Sequence, residues 1–351
     1  MRFNYKFACI ALCILAFAIT LSAILSVSKP IGADYYWHLN IANMIADGNL
    51  GGAVSYLLSP VGNNFPYGFY ISFFHFMLVP TVWSGNPYLY GLILESLFLP
   101  LTFALTVWLV AKKASWTAAF ITGVCLLGTG AFLDGALQVR PESLDLLLYP
   151  LVVYCVLSFK PKSFLGMVVF TVYSHGVAAL SNFYAFALKK ALEEKRWRVY
   201  IKVGVLAIAP VLILTVGYLS GAFTKWFTLA GANQSNPQQT LFWTQPLWFI
   251  PIYGGSSLLG VFFLFKRNKS PLESLLLWGL LGSLIMVPFW ADRWMHYISI
   301  PLSCLVGCGL AKYSTSDDNS PFVMVIGFML FAALLYTAYW FNISLIHGWA
   351  S

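Results

Sequence analysis

The sequence predicts an all-α polytopic membrane protein with about nine to eleven transmembrane helices, because its apolar runs are long, numerous and almost free of charge. Of its 351 residues, 60% are hydrophobic and only 9% are charged, and the mean hydropathy is +0.77. A soluble chain has about a quarter of its residues charged. This composition excludes a cytosolic enzyme and a secreted globular protein. The pI of about 9.1 does not indicate a nucleic-acid partner, because basic residues of membrane proteins accumulate in cytoplasmic loops.

Nine apolar runs are long enough, at about 17 to 25 residues, to cross a bilayer as helices. The first follows a short basic amino terminus, as the core of a signal peptide would. Its apolar stretch exceeds the usual signal core of about 7 to 15 residues, so we interpret it as an uncleaved anchor. The nine predicted spans are residues 7–27, 88–111, 116–133, 143–159, 199–219, 246–265, 272–290, 295–311 and 321–343.

Two further segments are ambiguous, and the distribution of Lys and Arg decides how they are arranged. Residues 65–83 are broken by prolines near both ends, and residues 164–188 are interrupted by Ser-His-Gly at 174–176. If the first stays on the outer face and the second is a hairpin that begins and ends inside, sixteen of the twenty basic residues are cytoplasmic. If both cross once, only thirteen are. We therefore predict nine full spans and one hairpin, with a cytoplasmic amino terminus and an outer carboxyl terminus.

This topology makes residues 1–351 a single transmembrane domain with three main outer loops. The loops are 28–87, which carries interfacial helices, 134–142 and 220–245. Carboxylates collect on the outer side, and ionisable groups at membrane depth are costly and tend to mark functional sites. The six cysteines lie in apolar runs without CxxC spacing, which predicts helix-packing residues and not a zinc site or disulfides.

The first outer loop contains GADYYWHLNIANMIADGN, residues 32–49. Asp34 is placed to cap a helix that Gly48 ends, and Asp34 and His38 then share a face at i,i+4. An apolar stripe is formed by Trp37, Ile41, Met44 and Ile45. The pattern predicts a helix lying in the membrane interface, with a carboxylate and an imidazole just above the bilayer. The alternative is that Asp34 is only a cap and His38 only a surface residue.

The second outer loop, LDGALQVRPESLDLLL at 133–148, is dense in charge for a segment that only connects two spans. It places Asp134, Arg140, Glu142 and Asp145 between two apolar runs. Either these residues form part of a site, or Arg140 and Glu142 form an ion pair that ties the two helices together.

A third cluster, ADRWMHYISIPL at 291–302, brings Asp292, Arg293 and His296 to the outer mouth of a span. Arginine is suited to bidentate recognition of phosphate. The alternative is that Arg293 extends to lipid headgroups, as long basic side chains do at membrane interfaces.

Together these clusters place carboxylates and arginines next to the hydrocarbon, without a nucleotide-binding loop. A lipid with an anionic headgroup is the natural substrate for such a site, because its tail can enter between helices while arginines hold its phosphate. If a group is transferred from that phosphate, one carboxylate acts as a base on the acceptor hydroxyl and the arginines neutralise the leaving phosphate.

The arrangement also resembles a known superfamily over about residues 1–312. An anchor span precedes the acidic first loop GADYYWHLNIANMIADGN, followed by FPYGFYISFF, by VRPESLDLLL at the start of a span and by DRWMHYISIPL near the end. This layout is similar to the glycosyltransferase C superfamily of polyprenyl-phosphate-sugar-dependent membrane enzymes, which includes protein mannosyltransferases and the lipid A aminoarabinose transferase. The resemblance implies a GT-C-like fold.

The resemblance also implies roles for individual residues. Asp34 matches the catalytic carboxylate of the first loop, Arg140 and Glu142 match the motif that lines the donor site, and Arg293 matches an arginine on the donor phosphate. The supporting residues are His38, Asp134, Asp292 and His296. The sequence departs from the pattern of oligosaccharyltransferases, since it has no WWDYG motif, and Tyr35 replaces the second acidic residue beside Asp34.

The implied activity is inverting transfer of a hexosyl or pentosyl unit from a polyprenyl-phosphate donor to a protein, lipid or glycan acceptor. The active site would face outwards in a prokaryotic cell membrane. Metal use stays open, because a divalent cation, Mg or Mn, would have only Asp34 and Glu142 as ligands. Two other classes also stay open: a polymerase or ligase acting on lipid-linked glycans, and a flippase or transporter of lipid-linked sugars.

Overall fold

The computed structural model describes residues 4–25, 34–58, 60–61, 65–66, 71–174, 179–219, 254–265, 268–284 and 291–315, with a few single residues after 324. Within these ranges the chain is helical, apart from one antiparallel pairing of Pro60–Val61 with Phe65–Pro66. The helical fold class predicted from the sequence is confirmed. The predicted outer loop 220–245 and almost all of the predicted span 321–343 lie outside the described residues.

The helices are named in chain order over the described ranges. Helices α1 to α7 are Tyr5–Leu25, Asp34–Ala46, Leu50–Leu58, Phe73–Trp83, Leu89–Lys113, Trp116–Leu127 and Gly130–Leu137. Helices α8 to α11 are Pro141–Leu157, Pro161–Tyr173, Leu180–Glu193 and Trp197–Leu219. Helices α12 to α14 are Val261–Leu264, Pro271–Leu284 and Ala291–Leu310. Short 3-10 helices, Gly255–Gly260 and Ala311–Thr315, precede α12 and follow α14.

The described helices support a membrane protein but not the full set of predicted spans. Helices α1 and α5, with 21 and 25 residues, are long and apolar enough to cross a bilayer. Helices α6 and α7 make a third candidate if the bent pair is counted as one span. The apolar helices α4 and α13 are shorter. The larger number of crossings stays a prediction.

Residues 116–133 do not form the straight span that the sequence predicts. The chain bends by 80° between α6 and α7, at Gly128 and Thr129. The bend frees backbone carbonyls, and Ser256 satisfies two of them: its N–H donates to Gly128 O at 3.1 Å and its hydroxyl to Cys125 O at 2.9 Å. Gly255 makes this approach feasible, because a Cβ there would lie 2.0 Å from Gly128 O.

The two ambiguous segments contain helices too short to cross a bilayer on their own. Helix α4 has 11 residues, and α9 and α10 have 13 and 14, which gives lengths of about 17 to 21 Å. A bilayer core is about 30 Å thick. The outer placement of 65–83 and the hairpin at 164–188 stay predictions.

The main core lies where α1, α5, α6, α8, α10 and α14 meet. Helices α6 and α14 approach closely because Gly307 has no side chain: a Cβ there would lie 2.4 Å from Ala118 O. Close packing of small residues is the usual way in which membrane helices associate. All six cysteines are free and five are buried, which confirms their predicted packing role.

Candidate active site

Helix α2 presents the first predicted site residues. It begins at Asp34, carries His38 one turn later and ends at Ala46. Gly48 ends the helix as predicted, with φ at 72°, and Asn49 N–H donates to Met44 O at 2.8 Å. This is the glycine-terminated helix end that satisfies free carbonyl groups. The Asp34 side chain lies outside the described atoms, so its roles as cap and base stay predictions.

Helix α2 is buried on two faces, whereas the sequence predicts an interfacial helix with one buried stripe. Trp37 and Ile41 are buried against α3, as the stripe predicts, but Tyr35 and Leu39 are also buried, against α4. Since α2 has neighbours on two sides, His38 is only 5% exposed and is not a surface residue. Burial raises the pKa of Tyr35 to about 12. Its neutral hydroxyl donates to Pro87 O at 2.6 Å, which ties α2 to the turn before α5.

His38 is held by a residue that the sequence did not single out as functional. His38 Nδ1 lies 3.0 Å from His75 Nε2, and the N–H of Ser72 donates to His75 Nδ1 at 3.0 Å. Because His75 Nδ1 accepts, the neutral ring carries its proton on Nε2 and donates it to His38 Nδ1. His38 then carries its proton on Nε2. The three-residue spacing of Ser72 and His75 at a helix start is a local signal, but the contact with His38 depends on how α2 packs on α4.

The second and third clusters are mostly helical and are not loops. Helix α7 ends at Leu137 and α8 begins at Pro141, so only Gln138, Val139 and Arg140 are outside helices. Helix α14 already begins at Ala291, which places the predicted third cluster in its first turns. The predicted outer loop 134–142 is thus largely helical, and α14 begins four residues before the predicted span 295–311. The outer placement of both clusters stays a prediction. Pro141 favours this helix start, because its fixed φ suits the first helical position.

The structure brings two of the predicted supporting residues together. His296 Nε2 lies 2.9 Å from Asp134 Oδ2, and Gln138 Nε2 donates to Asp134 Oδ1 at 2.5 Å. Asp134 and His296 are 6% and 3% exposed. The imidazole therefore donates from Nε2 to a buried carboxylate, as in sites where a carboxylate sets the tautomer and orientation of a histidine.

Gly135 is what allows His296 to reach Asp134. A Cβ on Gly135 would lie 2.8 Å from His296 Cγ and also 2.8 Å from Leu146 Cδ1. The hydroxyl of Ser143 donates to Gly135 O at 2.8 Å and to Gln138 O, which holds the end of α7 against the start of α8.

A second buried pair lies between α8 and α14. Tyr297 donates its hydroxyl to Asp145 Oδ2 at 3.2 Å, and Asp145 is fully buried. The sequence placed Asp145 in the charged second cluster but gave it no role, and Tyr297 was not predicted. The neighbouring residues His296 and Tyr297 thus contact two different carboxylates. These contacts depend on how α14 packs on α7 and α8, so they could not be predicted from the sequence.

The first and second clusters share one buried core. Val139 and Leu144, on either side of Arg140 and Glu142, pack in the same cluster as Tyr35 and Leu39 of α2. Glu142 is 8% exposed in the first turn of α8, where a negative charge is favourable next to the helix amino terminus. Arg140 directly precedes α8 and is half-buried. The side chains of Asp292 and Arg293 lie outside the described atoms.

No family model and no curated protein matches the chain. The resemblance to the glycosyltransferase C superfamily is therefore carried by the short motifs alone.

The use of a divalent metal stays a prediction. Among the described residues, no three His, Cys, Asp or Glu side chains lie together. Glu142 alone would supply a single ligand, and the side chain of Asp34, the other predicted ligand, is not described.

Proposed function

We propose that the protein is an inverting membrane glycosyltransferase, which moves one hexosyl or pentosyl unit from a polyprenyl-phosphate donor to an acceptor on the extracytoplasmic face. The observation that supports this most is the buried Asp134–His296 pair. Asp134 lies in α7, six residues before Arg140, and His296 lies in α14. Ionisable groups at membrane depth are costly to bury and tend to mark functional sites.

Packing of the first cluster adds further support. Asp34 and His38 are one turn apart on α2, whose other residues pack against α3 and α4. A base is held more precisely on a packed helix than on an exposed loop. The shared core of α2 with Val139 and Leu144 brings the same helix to the turn that carries Arg140.

In the proposed reaction Asp34 takes the proton of the acceptor hydroxyl while that oxygen attacks the anomeric carbon of the donor. The bond from this carbon to the phosphate oxygen breaks, and polyprenyl phosphate leaves with the electron pair. Arg140 and Arg293 neutralise the charge of the leaving phosphate. Attack from the face opposite the leaving group inverts the configuration.

The test is transfer by the purified protein from a panel of polyprenyl-phosphate sugars, with and without Mg, Mn or a chelator. We expect Asp34→Asn to lower the transfer rate at least about 100-fold through loss of the base. Arg293→Ala should weaken donor binding. Asp47→Asn, at an exposed position after the same helix, is the matched control.

Full transfer by Asp34→Asn would contradict the role of Asp34, and unchanged donor affinity in Arg293→Ala would contradict a phosphate contact. If the wild-type protein transfers no sugar from any donor in the panel, the proposed function itself is wrong.

One observation favours a second candidate, a flippase or transporter of lipid-linked sugars. Glu95 in α5 and Asp145 in α8 are fully buried within helices, and such carboxylates line ion pathways in transporters. Cysteines introduced at positions 95 and 175 would then be labelled alternately from the two sides of the membrane. Labelling from the outer side alone favours the enzyme.

A further inference from the structure

Three lysine side chains gather around one tyrosine ring at the end of α5. Lys112 and Lys113 end α5, Lys160 directly precedes α9, and Tyr154 lies near the end of α8. Their Nζ atoms lie 5.6, 5.0 and 5.3 Å from the centre of the Tyr154 ring. Lys112 Nζ also lies 5.5 Å from the centre of the Trp108 ring.

This lysine cluster (Lys112, Lys113 and Lys160) carries three positive charges that no Asp or Glu among the described residues neutralises. In the described part of the chain none of the three forms an ion pair with Asp or Glu, whereas nearby lysines do: Lys189 and Lys190 both pair with Glu193. Lys113 donates to the neutral hydroxyl of Ser158 at 2.8 Å. Aromatic faces attract each ammonium group, but they carry no net charge and do not remove the repulsion among three.

An apolar groove of about 410 Å³ adjoins the cluster between α1 and α5. Its walls include Cys13, Ile14, Phe17, Ala104 and Trp108. From Cys9 to Phe17 the groove follows α1 for about 12 Å, or two helical turns. Ile14 and Phe17 are 64% and 48% exposed, so the groove is open to whatever surrounds α1.

Trp108 joins the two features. Its side chain lines the groove, lies next to Lys112 Nζ, and has its ring centre 4.9 Å from that of Tyr154. The groove therefore ends where the lysines begin. Because α1 and α5 are helices that could cross a membrane, this groove faces the bilayer, and its charged end lies at the membrane surface that the sequence predicts to be cytoplasmic.

We propose that the lysine cluster and this groove bind one anionic phospholipid, with its phosphate among the three ammonium groups and an acyl chain along α1 and α5. Only a ligand with an anionic head and an apolar tail matches both features. An inorganic anion would use the lysines alone, and a neutral lipid the groove alone. The lipid site is at the opposite end of α5 from Tyr35 and Pro87, about 37 Å away along 25 residues, and is separate from the candidate active site.

The experiment uses the full-length protein, delipidated in a neutral detergent. It is titrated with phosphatidylglycerol or with phosphatidylcholine of the same acyl chains, and bound lipid is counted by native mass spectrometry. We expect the wild type to bind phosphatidylglycerol at least about tenfold more tightly. The triple variant K112Q/K113Q/K160Q should lose this preference. The matched control K195Q/R198Q/K202Q removes three exposed positive charges elsewhere and should keep it.

The groove is tested separately at an exposed position, so that the result does not depend on the folding of the triple variant. Ile14→Asn places a polar group in the groove and should weaken phosphatidylglycerol binding several-fold, while water-soluble glycerophosphoglycerol binds as before. The proposal is overturned by equal binding of the two lipids to the wild type, or by equal loss in the two triple variants. It is also overturned if glycerophosphoglycerol or inorganic phosphate binds as tightly as the lipid.

Discussion

At the scale of single residues, the Asp134–His296 pair shows how a buried carboxylate is accommodated in an apolar protein. Asp134 receives hydrogen bonds at both oxygens, from His296 and from Gln138. A buried charge without partners would cost several kcal/mol, and these donors offset that cost. Gly135 is part of the same arrangement, because any larger residue there would displace the imidazole.

Two substitutions of His296 distinguish the stability lost with its hydrogen bond to Asp134 from the stability lost with its imidazole ring. A glutamine amide nitrogen can occupy the place of His296 Nε2 and still donate to Asp134, whereas asparagine is too short. We expect His296→Asn to lower the free energy of unfolding by about 2 kcal/mol, since a hydrogen bond to a charged group is lost. His296→Gln should lose less than half of that. Equal losses, measured by thermal unfolding in detergent, would contradict the pairing.

At the scale of the elements, glycines and breaks in helices decide where the candidate site residues lie. Gly48 ends α2 in the left-handed region. At the 80° bend between α6 and α7, Gly255 lets its segment approach the carbonyl of Gly128. The bend sends α7 away from the direction of α6 and brings Asp134 to α14. Without it, residues 116–133 would form a continuous span and Asp134 would follow at its end, away from His296.

Alanine substitutions at two glycines whose surroundings have room for a Cβ test the backbone conformation at the end of α2. A Cβ at Gly48 or at Gly51 would meet nothing within 4 Å, but Gly48 has a φ of 72° and Gly51 lies inside α3. We expect Gly48→Ala to destabilise the protein by about 1 kcal/mol, because alanine is strained in the left-handed region. Gly51→Ala should be neutral or stabilising by up to about 1 kcal/mol. Melting temperatures that shift in the same direction for both variants would disagree with this geometry.

At the scale of the whole molecule, the two polar regions lie at opposite ends of α5. The candidate active site is near Leu89, where Tyr35 contacts the preceding turn, and the lysine cluster is at Lys113. A helix of this length that crosses a bilayer places its two ends on opposite faces. The orientation predicted from Lys and Arg makes the lysine end cytoplasmic.

This orientation is tested by labelling exposed positions near each end. Asp47→Cys, after α2, should react with a membrane-impermeant thiol reagent added outside intact cells, and Lys195→Cys, before α11, should react only after permeabilisation. Both positions are exposed. The native cysteines give a low background, because five of the six are buried. The reverse pattern would invert the topology and place the candidate site on the cytoplasmic side.

Residues with a local signature were predictable, and residues whose partners are distant in sequence were not. The end of α2 at Gly48 follows from a few neighbouring residues, and the packing role of the cysteines follows from their apolar surroundings. His75, Asp145 and Tyr297 could not be assigned in this way. Their contacts join α2 to α4 and α14 to α8, across 37 and 152 residues.

The sequence by itself determined the helical fold class and predicted a membrane protein, because its apolar runs are long and almost free of charge. It also indicated which charged segments are candidates for a site. Only the tertiary structure decided that α6 and α7 bend apart, that all but three residues of the predicted loop 134–142 are helical, and that Asp134 meets His296. The physical reason is that hydropathy and charge act along the chain, whereas hydrogen bonds between buried side chains depend on which helices approach each other and where a glycine lets them do so.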